Sequence, residues 1–166
     1  HLVWKLTVDP ATWESLTGPF KLRGPYALKS YSHEEVGEQG DGKALYLIEV
    51  EKLMPLSSRR EYQAWNNLSE TLQKKMIGLI HEYPHEDQRF ALALERMAGE
   101  MPDDPLKDFI QQLSSFCINI GAGVDFHSKN VMKHPIDGHH VCSDPVYSIE
   151  MLKDLRKQIT YEWKVK

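Results

Sequence analysis

The chain has 166 residues, is 41% hydrophobic and carries a formal net charge of −4. That length and apolar content fit one globular domain with a sizeable core, and no apolar run approaches membrane-spanning length. The negative balance, without a Lys/Arg stripe or a basic arm, argues against nucleic-acid binding.

Cys117 and Cys142 are too few for a disulfide framework and point to a reducing compartment. The first residue, His1, already stands in a strand-like pattern. The start lacks the basic region and apolar core of a signal peptide, and it leaves room for a preceding segment. Leu2 to Val8 reads as a strand with Val3, Lys5 and Thr7 on one face and Leu2, Trp4, Leu6 and Val8 on the other. Asp9 and Pro10 end it, "ATWESL" is long enough for one helical turn, and Gly18, Pro19, Gly24 and Pro25 punctuate a loop. A second strand is expected in "YALKSYSHE", a hairpin turn in "EVGEQGDGK", and a third strand in "ALYLIEVEKL" before Met54 and Pro55. A methionine such as Met54 is ordinarily core filler.

From Ser57 the period becomes helical. Trp65, Leu68, Leu72, Met76, Ile77 and Ile80 recur along "SSRREYQAWNNLSETLQKKMIGLIHEY", whose start Ser57 or Ser58 can cap. "EDQRFALALERMAG" predicts a shorter helix. "PLKDFIQQLSSFCINIG" predicts the most amphipathic one, with Leu106, Phe109, Ile110, Leu113, Phe116, Cys117 and Ile120 in one stripe. Short strands are expected in "NVMKH" and "HHVCS" around a "PIDG" turn, then a last helix in "SIEMLKDLRKQITYEW". The charged segments "SSRREYQ" and "DLRKQ" read as solvated helix faces. The fold class is therefore α+β: residues 1–54 form a small antiparallel sheet and hinge, and 55–166 a mainly helical lobe. The order is too irregular for a doubly wound sheet.

The stretch "GVDFHSKNVMKHPIDGHHVCSDPV" concentrates the chemistry. A zinc site would need three or four of its ligand-type residues to converge. Adjacent His139 and His140 face opposite sides of a strand, and His127 to His134 is no compact ligand spacing. His134, His139 and His140 therefore read as surface and capping residues of a hairpin. The acidic residues read differently. A hairpin returns its ends to one side, so Asp144 is expected beside Asn130 and the loop of Asp125. Two carboxylates and an amide oxygen in one pocket suit phosphoryl transfer, in which a hard cation takes oxygen ligands and a separate carboxylate orients the attacking hydroxyl.

"DFHSKN" followed by "SDP" resembles the catalytic loop and metal aspartate of the protein-kinase-like fold, D-x-x-x-x-N and then an aspartate after two short strands. The fuller pattern is similar to the early serine/threonine kinases of short-tailed lytic bacteriophages. The resemblance implies a reduced protein-kinase-like fold, with ATP and Mg as cofactors and a host protein as substrate or target in the cytoplasm of an infected bacterium. It implies Asp125 as the catalytic base, Asn130 and Asp144 as magnesium ligands, and Asp144 also as a nucleotide contact. His127 would orient the base or approach the phosphate, and Lys129 would lend cationic help. Lys5 resembles the strand lysine on the α and β phosphates. Tyr46, Ile48, Glu49 and Val50 would line the adenine edge near the hinge. Departures are the lack of a G-x-G-x-x-G loop, "DPV" in place of Asp-Phe-Gly, and one helix after Asp144. Between Pro10 and Gly24, Glu14 is the only acidic candidate to partner Lys5. These departures leave room for a reduced binding module that inhibits a host protein, and the Asp-x-His loop for a small-molecule phosphotransferase.

Overall fold

A computed structural model describes residues 2–40 and 42–164, with side chains described as far as Lys157. It is a mixed α/β structure with small antiparallel sheets and five α-helices among the described residues. β1 (Leu2–Thr7), β2 (Ser30–Glu38) and β3 (Ala44–Glu51) make one sheet in the order β1-β3-β2. β4 (Met54–Pro55), β6 (Val131–Lys133) and β7 (His140–Cys142) make a second, while β5 (Ala122–Val124) pairs with β8 (Val146–Ser148). No helix among the described residues is long and apolar enough to cross a membrane.

In the front sheet, Val3 pairs with Val50, Lys5 with Ile48 and Thr7 with Tyr46. Directly opposed residues of an antiparallel pair share a face, so these six lie on one side of the sheet, although Val3 remains 41% exposed. There Ile48 and Val50 bury with Leu16, Leu28 and Val141 in a small core. Leu2, Trp4 and Leu6 lie on the exposed outer face. The second strand starts later than the sequence predicts and runs through Glu38, with register shifts at Ser30/Ser32 and Glu35/Gly37. Its polar side chains fit an exposed edge strand, and the reversal narrows to residues 39–43, where the Gln39 amide donates to the Lys43 carbonyl.

α1 (Pro10–Thr17) replaces the expected single turn with an eight-residue helix. Asp9 caps it by accepting from the Ala11 amide at 2.8 Å, and Pro10 has no amide hydrogen to leave unpaired. α2 (Arg59–Ile77) starts at a capping box in which Ser58 accepts from the Glu61 amide and the Glu61 carboxylate accepts from the Ser58 amide. It stops at Gly78, short of Tyr83. α3 (Glu86–Gly99) and α4 (Pro105–Ile120) match the predicted spans. The stripe of α4 supplies Phe109, Ile110, Leu113, Phe116 and Cys117 to the main core, with Leu94 and Met97 of α3 opposite. α5 (Ile149–Lys164) closes the chain. Met54 is not core filler: it is 53% exposed and pairs through its backbone with Lys133. Both cysteines are free and buried, and burial pushes both thiols far above their usual range.

The β6–β7 hairpin is anchored to α2. The Trp65 indole donates to His140 Nδ1 at 3.1 Å, which leaves His140 Nε2 facing Glu61 Oε1 at 3.3 Å. Lys133 Nζ reaches the same Glu61 oxygen at 2.8 Å. That ammonium, ahead of the capping amides, holds the Glu61 carboxyl well below the usual carboxylate range.

Candidate active site

α4 ends at Gly121, and the chain enters β5, which runs beside β8 with Val124 opposite Val146. The next residue is Asp125, whose amide donates to the Pro145 carbonyl at 2.9 Å. The chain then makes a short 3₁₀ turn (Ser128–Asn130) into β6. β7 returns antiparallel with Val131 opposite Cys142, so the Ser143 amide meets the Asn130 carbonyl at 2.8 Å. Two short pairings thus bring the backbones of Asp125, Asn130 and Asp144 to one end of the hairpin.

Each side chain has a defined role in this geometry. His127 Nδ1 accepts from the Lys129 amide at 3.1 Å, so its ring proton resides on Nε2, which faces Asp125 Oδ1 at 3.1 Å. His127 therefore orients the Asp125 carboxylate by donating to one of its oxygens. Asn130 donates its amide nitrogen to the Asp125 carbonyl at 3.1 Å, which leaves its Oδ1 outside that bond. Asp144 Oδ1 accepts from the Thr12 hydroxyl at 3.1 Å and lies 3.2 Å from Lys5 Nζ. Lys5 also donates to the Ser143 carbonyl at 3.2 Å. The Asn130 amide oxygen and the half-exposed Asp144 carboxylate are oxygen donors of the kind magnesium takes. Lys129 is exposed on the turn, where only its backbone takes part in these bonds.

One expected pairing changes. Glu14 does not partner Lys5: its Oε2 is buried without a hydrogen-bond partner, in the space a Cβ of residue 18 would occupy. Glu49 sits opposite Trp4 on the outer face and accepts from the Ser32 hydroxyl at 2.9 Å, so it faces away from Lys5. Tyr46, Ile48 and Val50 do share the face of Lys5, but Ile48 is fully buried and Tyr46 is stacked on Trp13 of α1 at 4.1 Å. Packing under α1 occupies those side chains.

Sequence reasoning missed Thr12 and Asp9. Asp9 caps α1 and also accepts from the Ser148 amide at 3.1 Å; burial raises its pKa against the opposing effect of these amides. The Asp-Pro pair ahead of "ATWE" was the available signal, because it starts helices as well as ending strands.

A groove of about 730 Å³ is lined at one part by Asp9, Asp125 and His127. Leu72 and Met76 of α2, Phe90 of α3 and Met151 of α5 make it largely apolar. At its inner end the Tyr147 hydroxyl donates to Glu86 at 3.2 Å. The ring of Tyr147 lies over Gly123, where an added Cβ would come within 2.3 Å of Cζ. Gly123→Ala is therefore expected to displace Tyr147 and destabilise the protein by about 1–3 kcal/mol in urea denaturation.

No family model matches the chain, and searches of the curated proteins and of the solved structures gave no match either.

Proposed function

We propose that the chain is a reduced protein-kinase-like phosphotransferase that moves the γ-phosphoryl of ATP to a serine or threonine hydroxyl of a host protein. The observation that carries this reading is the convergence of Asp125, Asn130 and Asp144 across the two short pairings, with Lys5 against Asp144. Asn130 and Asp144 would hold magnesium, which supplies charge neutralisation on the phosphates. Asp125 accepts the proton of the incoming hydroxyl, and the His127 hydrogen bond holds its carboxylate in place at the lining of the groove. Lys5 steadies the non-transferred phosphates from the inner face of the front sheet. The small front sheet, the mainly helical remainder and the hairpin between them suit that division of labour. The origin in a lytic phage rests on the sequence resemblance alone.

A second reading is favoured by the direct Lys5–Asp144 pair and the diversion of Glu14 from Lys5. In that reading the fold is a binding module that sequesters a host protein without turnover. One experiment separates the two: nucleotide binding with and without Mg²⁺, followed by labelled phosphate transfer from ATP to a bacterial lysate. The kinase reading expects Mg²⁺-dependent binding and label on protein serine or threonine. Nucleotide binding without transfer selects the module, and no binding of either kind ends the kinase reading.

A further inference from the structure

The six residues "HPIDGH" that join β6 to β7 bring three ligand-type side chains together. The His134 amide donates to the His139 carbonyl at 2.9 Å, and the Gly138 amide donates to the His134 carbonyl at 3.0 Å. Gly138, at φ 72°, takes the left-handed conformation that lets the chain double back. The two imidazoles stack as a result, with centroids 4.8 Å apart and an interplanar angle of 17°. Asp137 Oδ1 lies 3.1 Å from His134 Nδ1 and 2.5 Å from His139 Nδ1. The three donor atoms all fall within 4.8 Å of one another. A tetrahedral ion with bonds of about 2.0–2.1 Å separates its ligands by about 3.3 Å, so a small movement of the rings suffices to seat one.

An independent feature stands behind the cluster. Glu51, at the end of β3, has a side chain only 7% exposed, and its Oε2 lies 3.8 Å from His134 Nε2. Its other oxygen accepts from the Lys29 amide at 3.2 Å, which fixes the carboxylate in place. At 3.8 Å Glu51 stands just beyond hydrogen-bond reach, on the far nitrogen of the ring, where a carboxylate supports a histidine that ligates a metal through Nδ1. Two imidazoles that both donate to one carboxylate oxygen also need a proton on each Nδ1, whereas one divalent cation can replace both.

We propose that His134 Nδ1, His139 Nδ1 and an Asp137 oxygen bind a single zinc-class divalent ion, with a fourth position open to solvent and Glu51 as the supporting carboxylate. Imidazole ligands select a borderline transition metal over magnesium or calcium. The site is separate from the phosphoryl-transfer reading. Its ion would sit on the turn of the hairpin whose other end carries Asn130 and Asp144, with Glu51 at the end of β3 behind it. His140 takes no part, because Trp65 and Glu61 hold it on the opposite side of the strand.

The test is zinc titration by calorimetry on the full, chelator-treated chain, with cobalt(II) absorption as a second readout. The expected result is one strongly bound equivalent and the visible spectrum of tetrahedral cobalt. Each of His134→Asn, Asp137→Asn and His139→Asn should weaken binding at least about tenfold, and Glu51→Gln by about 10–100-fold. Magnesium should produce no comparable signal. Far-UV circular dichroism verifies that the variants fold, including Glu51→Gln at a buried strand end. Affinity unchanged in the His134→Asn/His139→Asn double variant would overturn the site, as would the absence of a bound equivalent in the parent chain.

Discussion

Asp144→Ala is expected to lower Mg²⁺-dependent ATP turnover by at least about 100-fold while leaving the fold intact. The loss follows from the geometry on the inner side of the hairpin, where Asp144 meets Lys5 and Thr12 and stands one residue beyond the Ser143–Asn130 backbone bond. Truncation removes one of two proposed magnesium ligands, and a preorganised charge at a phosphoryl site is worth on the order of 100-fold or more. Stability should change little. The side chain is 46% exposed, and an ion pair of that kind contributes about 0–1 kcal/mol. Phosphate release with and without Mg²⁺, beside a thermal melt, checks both halves. Undiminished turnover in this variant would remove Asp144 from any metal role.

Asp125→Asn probes the other half of the site and should behave differently. The amide is nearly the same size as the carboxylate and can still meet His127, but it cannot accept the hydroxyl proton. General-base loss of this kind lowers kcat by about 10²–10⁴-fold. Nucleotide affinity should stay close to that of the parent chain, because the removed interaction belongs to the transition state alone. Single-turnover transfer together with equilibrium nucleotide binding separates the two effects. A variant that loses nucleotide binding instead would move Asp125 from proton acceptor to nucleotide contact.

Much of the architecture was legible because it is written locally. Ser58 and Glu61 announce α2, and the stripe from Leu106 to Ile120 announces α4. The "PIDG" turn between two apolar pairs announces the hairpin, and Asp125, Asn130 and Asp144 could be read from that hairpin alone. What escaped depended on distant partners. β5 and β8 have three residues each, too few to show a period, and exist through the pairing of Ala122 with Ser148. The Thr12–Asp144 bond spans 132 positions. The side that Glu49 takes needed a register: once Lys5 faces Ile48, alternation puts Glu49 opposite Trp4. The grouping of His134, Asp137 and His139 was hidden by the more conspicuous adjacent pair His139 and His140.

The hydrogen bonds linking the front residues to the segment after β7 have a mechanical consequence. Lys5, Asp9 and Thr12 all reach into positions 143–148, at the Ser143 carbonyl, the Ser148 amide and the Asp144 carboxylate. Asp125 and Asn130 are instead held by β5 and β6, at the foot of the helical core. Asp144 is thus clamped between two backbone bonds, Ser143 to Asn130 on one flank and Pro145 to Asp125 on the other, while Thr12 and Lys5 hold its carboxylate from the front.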